Sequence, residues 1–123
     1  MALSKQRLKY SFAHAFRGVK DAYQTQQNFR IHLYTALLTI IFSILFRINH
    51  YEWMIIVASI VLVIVMELTN TAIEYFADLI KQEYDLKIKI VKDISAAAVL
   101  ISVLLAVFVG CIVFIPKIWS LFL

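Results

Sequence analysis

The sequence predicts an all-α integral membrane protein, with three spanning helices and an N-terminal amphipathic surface helix. Three observations lead there. Of 123 residues, 63% are hydrophobic and only 16% are charged, far from the balance of a soluble domain. Three separate apolar runs approach the roughly 20 residues a helix needs to cross a hydrocarbon core. Two glycines and one proline are too few for a turn-rich sheet protein. A soluble helical core is the alternative, and three runs of that length argue against it. The length fits one domain over 1–123.

Residues 5–24 read as an amphipathic helix. Leu8, Phe12, Phe16, Val19 and Tyr23 recur at helical spacing, with Lys5, Arg7, Lys9, Arg17 and Lys20 around them. Such a helix either lies in the membrane interface with its cations near headgroup phosphates, or packs on its own bundle. The first span is expected over about 31–48, followed by a short polar turn containing Arg47, Asn49, His50 and Glu52. The second apolar run starts at Trp53 and continues without a breaker to Ile80. A helix over 53–80 is about 42 Å long and outruns a hydrocarbon core of about 30 Å, so its last turns emerge from the bilayer. Lys81 to Lys92 reads as a charged, partly amphipathic connection. The third span is expected over about 94–115, ended by Pro116 and anchored by Lys117 and Trp119.

Charge sets the orientation. Lys5, Arg7, Lys9, Arg17, Lys20, Arg30, Lys81, Lys87, Lys89 and Lys92 fall on one side, and only Arg47 and Lys117 on the other. The positive-inside rule then puts the N-terminus and the 81–92 connection in the cytoplasm, and the C-terminus outside, of a plasma-membrane protein. The same rule accounts for the net charge of +4, which calls for no nucleic-acid partner. The first apolar stretch begins too late for a cleavable signal peptide. The lone Cys111 excludes an internal disulfide and a multi-cysteine metal site.

The informative stretch is Glu67-Leu-Thr-Asn70-Thr71-Ala-Ile-Glu74, continuing to Asp78. At about 100° per residue, positions 67, 70, 71, 74 and 78 share one helix face. An ionised carboxylate facing lipid is costly, so the stripe faces the protein interior or a wet cleft, and intramembrane acids are functional candidates. Glu67 lies about 21 Å along the helix from Trp53, in the inner leaflet near the cytoplasmic boundary. A site there meets a lipid headgroup from one side and a soluble substrate from the other. Carboxylate oxygens suit Mg²⁺, which keeps waters and bridges substrate phosphates. A second carboxylate can take a proton from an attacking alcohol. Lys92-Asp93, on the same side, adds a cation for phosphate and another acid. The plain alternative is a buried polar network that fixes helix register.

Other chemistries lack support. Gly18 and Gly110 are isolated, so no glycine-rich phosphate loop exists. His14, His32 and His50 are too scattered for a zinc site. His14 and His32 flank the cytoplasmic end of the first span, where interfacial packing is the commoner role. No serine has a local activating motif.

The segment Glu67-x-x-Asn70-Thr71-Ala72-Ile73-Glu74 resembles the signature of the prokaryotic diacylglycerol kinase and undecaprenol kinase family. The resemblance extends over almost the whole chain. It includes Ser11-Phe12 through Gly18, Asn28-Phe29, Glu52-Trp53, Lys92-Asp93 followed by Ala96-Ala97-Ala98-Val99-Leu100, and the Phe114-Ile-Pro-Lys117 ending. It implies a homotrimer of three-span protomers with composite sites shared between neighbours. It implies MgATP as phosphoryl donor and a lipid alcohol as acceptor. Residue by residue, Glu67 resembles the catalytic base that meets the lipid hydroxyl, Asn70 a polar partner and Glu74 a metal ligand. Lys92 and Asp93 resemble nucleotide contacts, and Glu83, Tyr84 and Asp85 match a segment near the nucleotide. Arg7 and His14 match contact positions toward lipid and nucleotide respectively. One position departs: Gln26 stands where the family usually has a metal-binding glutamate, which weakens the expected metal affinity. The short chain and the Trp53 region look more like the Gram-positive branch, which favours undecaprenol over diacylglycerol. Two other expectations stand beside this one. One is a small oligomeric transporter using Glu67 or Glu74 as a cation carrier. The other is a family member with weakened catalysis because of Gln26.

Overall fold

A computed structural model describes residues 4–123, which form four helices: α1 Lys5–Thr25, α2 Gln27–Leu45, α3 His50–Ile80 and α4 Leu86–Leu121. α1 starts on Ser4, whose hydroxyl accepts from the Arg7 amide at 3.1 Å, one of the first-turn donors that lack an intrahelical partner. It ends because Gln26 is extended (φ −113°, ψ 109°), and the chain re-enters a helix at the next residue. α2 therefore begins four residues before the apolar run expected from 31. Its polar first turn is anchored by Phe29, which is fully buried.

α2 closes in a Schellman motif. The Arg47 amide reaches Ile44 O at 3.2 Å and the Ile48 amide reaches Ser43 O at 3.3 Å, with Arg47 left-handed at φ 51°. Ile48 is thereby tucked into a small core with Ile56 and Val113, flanked by Phe46, Trp53 and Phe114. α3 opens with a capping box. Asn49 Oδ1 accepts from the Glu52 amide at 2.9 Å, and Glu52 Oε1 accepts from the Asn49 amide at 3.1 Å.

α4 differs from the expected third span at both ends. It begins at Leu86 rather than near 94, because Asp85 accepts from the Lys87 and Ile88 amides and so caps a turn that its lysines disguise. It also runs through Pro116 to Leu121 instead of stopping at the proline. Proline forfeits one backbone hydrogen bond, and here Lys117 Nζ compensates by holding the last turns to α3 through Glu52 Oε1 at 3.0 Å.

α3 is the hub, touching all three other helices, with its longest seam along α4. α2, α3 and α4 are each long and apolar enough to cross a membrane. Most of their large side chains, Leu37, Leu104 and Phe108 among them, are exposed on the outside of the bundle, as a lipid solvent permits. With 31 and 36 residues, α3 and α4 are about 46 and 54 Å long. Both overrun the bilayer core, and the acidic stripe lies toward the end where they join.

Candidate active site

No glycine or proline interrupts α3 between Trp53 and Ile80, so the stripe keeps the regular rotation that puts its members on one face. Exposure rises along it. Glu67 and Thr71 are buried at 4% and 6% relative exposure, Asn70 and Glu74 are half-buried, and Asp78 is exposed. The face turns from dry to wet over about three turns. Thr71 donates its hydroxyl to Glu67 O at 2.9 Å, a bond within the helix that commits its one donor.

Glu67, Asn70 and Asp78 each meet a neighbouring helix, while Glu74 is held from within α3. Glu67 Oε1 lies 3.3 Å from His32 Nε2 of α2. Asn70 is fixed from two sides: Ser95 Oγ of α4 donates to its Oδ1 at 2.7 Å, so its Nδ2 is the end that donates to Glu74 Oε1, at 3.2 Å. Asp78 Oδ1 pairs with Lys92 Nζ at 2.5 Å, which draws Lys92 onto the stripe. Asp93 is drawn elsewhere, pairing at 2.6 Å with Lys89 one turn back on α4.

The connection after α3 forms a second cluster around a cavity of about 350 Å³, lined by Asp78, Lys81, Glu83, Tyr84, Asp85, Lys89 and Lys92. The Lys81 ammonium at 2.8 Å, with the Ile88 and Lys87 amides, holds the Asp85 carboxyl below the usual range. Glu83, Tyr84, Asp85 and Lys92 are thus brought together around one cavity. Arg7 and His14 sit at exposed positions of α1. That helix meets α3 further along, at a groove lined by Gly18, Asp21, Thr71 and Tyr75.

Gln26 comes to Tyr75 rather than to Glu74. Its Nε2 donates to Tyr75 Oη at 3.4 Å, and that hydroxyl donates to Thr25 Oγ1 at 3.0 Å. His32, Ser95 and Tyr75 are the site neighbours that sequence reasoning missed. Ser95 had a usable signal, since it follows Lys92 by three residues and shares its helix face. His32 had none, because 35 residues separate it from its partner.

Hard oxygen donors are present for a divalent cation. Glu74 is an anionic donor held by a neutral amide, and Gln26 offers a carbonyl oxygen at the α1–α2 joint. Among the described residues, no group of three or more His, Cys, Asp or Glu side chains is arranged to hold a metal. The donor set therefore fits Mg²⁺ arriving on a nucleotide, which needs one or two carboxylates and keeps waters, and does not fit a protein-caged ion.

Comparison with known proteins identifies the family. The family described as prokaryotic diacylglycerol kinase matches residues 13–114. An undecaprenol kinase of Bacillus subtilis is 36% identical over 107 residues, 87% of this chain and 87% of that one. A diacylglycerol kinase of Synechocystis is 38% identical over 115 residues, 93% of this chain and 66% of that one. A diacylglycerol kinase of Escherichia coli is 29% identical over 109 residues, covering 89% and 86%. A match across most of its length, on three membrane-spanning helices, makes this chain a member of the prokaryotic diacylglycerol kinase family and a lipid kinase.

Proposed function

We propose that the chain uses MgATP to phosphorylate a membrane lipid alcohol at the cytoplasmic face of the plasma membrane. We infer undecaprenol as the first choice of acceptor and diacylglycerol as the second. The observation that carries this reading is Glu67: a buried carboxylate at 4% exposure, on a stripe that opens within three turns onto a cluster of lysines and carboxylates. A lipid hydroxyl reaches it from the bilayer side and a nucleotide from the cytosolic side. The match to the Bacillus undecaprenol kinase, 36% identical over 87% of both chains against 29% for the similarly covered Escherichia coli diacylglycerol kinase, supports undecaprenol as the first choice.

Glu67 accepts the hydroxyl proton as the lipid oxygen bonds to the γ-phosphorus. The bond from that phosphorus to the β-phosphate oxygen breaks, and ADP leaves. Asn70 holds Glu74, which would take the metal; Gln26, whose side chain lies at Tyr75, would have to leave that hydroxyl to add its carbonyl oxygen. A divalent cation held by Glu74 would supply positive charge against the nucleotide's phosphates. Lys92 leaves Asp78 to contact phosphate, and Glu83, Tyr84, Asp85 and Asp93 surround the nucleotide. His14 and Arg7 complete the site from α1 toward nucleotide and lipid. The broad apolar faces of α2 and α4 suit a homotrimer in which neighbours share sites.

The two alternatives have no such support. A family of kinases does not favour a transporter, and Gln26 by itself does not show weakened catalysis.

The test is phosphate transfer from ATP by the purified chain in vesicles, with undecaprenol and diacylglycerol side by side. Transfer to undecaprenol at the higher kcat/KM is expected. Transfer to neither lipid overturns the function, and a preference for diacylglycerol overturns the substrate assignment.

A further inference from the structure

We propose that His32 is the positioning residue for Glu67, so that the base of the reaction is a pair contributed by two helices; this rests on the kinase reading above. Glu67 is buried in the middle of α3, where every backbone amide is already committed to the helix ladder. A buried carboxylate without a donor is strongly disfavoured. His32 Nε2 stands 3.3 Å from Glu67 Oε1. It is the side chain that can hold this oxygen and leave Oε2 for the lipid hydroxyl.

The surroundings say why the ring does more than fasten α2 to α3. His32 lines a half-open cavity of about 250 Å³ between α2, α3 and α4. The α4 wall of that cavity is Val103, Ala106, Val107, Gly110 and Phe114, with no ionisable group. Its α3 wall is Ile56, Ser59, Ile60 and Val63, likewise without an ionisable group. Among the described residues that line the cavity, His32 is the one ionisable group, and its ring lies against Glu67. Its side chain retains 21% exposure, enough for a small molecule to replace it.

A carboxylate freed to rotate reacts more slowly without any change in nucleotide binding, because misplacing a reacting group by about 1 Å can cost on the order of 100-fold. The experiment compares His32→Ala and His32→Gln with the unaltered chain in vesicles containing undecaprenol. His32→Ala is expected to lower kcat by roughly 10- to 100-fold with KM for ATP unchanged. Added imidazole should restore much of that loss. His32→Gln, whose amide can donate to the same oxygen, should keep most of the activity without imidazole.

An unimpaired His32→Ala variant overturns the proposal. So does a deficit that neither imidazole nor the glutamine relieves, since that marks a fold defect rather than a misplaced base. If the unaltered chain transfers no phosphate to undecaprenol or diacylglycerol, the kinase reading falls and this inference with it, a result readily distinguished from the other two.

Discussion

Ser95→Ala is the perturbation that most directly probes how the site is ordered. Ser95 is 7% exposed, and its hydroxyl donates to Asn70 Oδ1 at 2.7 Å. Removing it deletes the bond that tells the two ends of the amide apart. A turned amide would point its oxygen at the Glu74 carboxylate and replace the 3.2 Å donation with a repulsion. Interhelical hydrogen bonds inside membranes are worth about 0.6 kcal/mol on average and about 1.7 kcal/mol at most, and at about 1.4 kcal/mol per factor of ten this corresponds to roughly 3- to 16-fold. We expect kcat/KM for MgATP to fall by that amount in Ser95→Ala, while the KM for lipid stays put. A double-mutant cycle with Asn70→Ala should show the two losses to be non-additive. Strict additivity, or an unchanged kcat/KM, refutes the idea that Ser95 acts through Asn70.

Three further outcomes follow from single residues. Arg47→Gly should stabilise the protein by about 1 kcal/mol, because a left-handed φ of 51° strains any residue with a Cβ; a lower melting temperature in detergent would contradict this. Gln26→Glu should tighten Mg²⁺ binding by adding a carboxylate, read as a lower half-saturating Mg²⁺ concentration in the kinase assay; an unchanged value removes Gln26 from the metal's surroundings. Asp85 has its carboxyl held below the usual range, first by Lys81 and then by the Ile88 and Lys87 amides. Its stabilising contribution is therefore complete above the ordinary aspartate value of about 3.9 and is lost as pH falls through the lower folded value. The Lys87 and Ile88 amide resonances should stay put down to about pH 4, and movement already at pH 6 contradicts the capped geometry.

The fold was legible in the sequence wherever burial in lipid dictated the pattern. The spans follow from long apolar runs, and the acidic face of α3 follows from helical rotation alone. Helix ends were legible only where composition agreed with local geometry. α4 starts eight residues before its apolar run because one aspartate caps a lysine-rich turn. It passes Pro116 because Lys117 finds Glu52 across 65 residues. Arg47 takes a left-handed position usually marked by glycine, so no residue type announced that motif. The site was legible as a stripe but not as a set of contacts. Glu67, Asn70 and Glu74 share a helix, whereas His32 and Ser95 reach them from helices whose relative rotation no local pattern records. Lys92 and Asp93 are adjacent in sequence, yet their rotation on α4 sends one to Asp78 and the other to Lys89.

The central claim is that the Glu67 carboxylate takes the proton of a lipid hydroxyl, and its most direct test is Glu67→Gln, which removes the base and preserves the shape. Phosphate transfer from ATP to undecaprenol in vesicles should fall by about 10²- to 10⁴-fold, with nucleotide binding retained. Transfer at the unaltered rate would contradict the account.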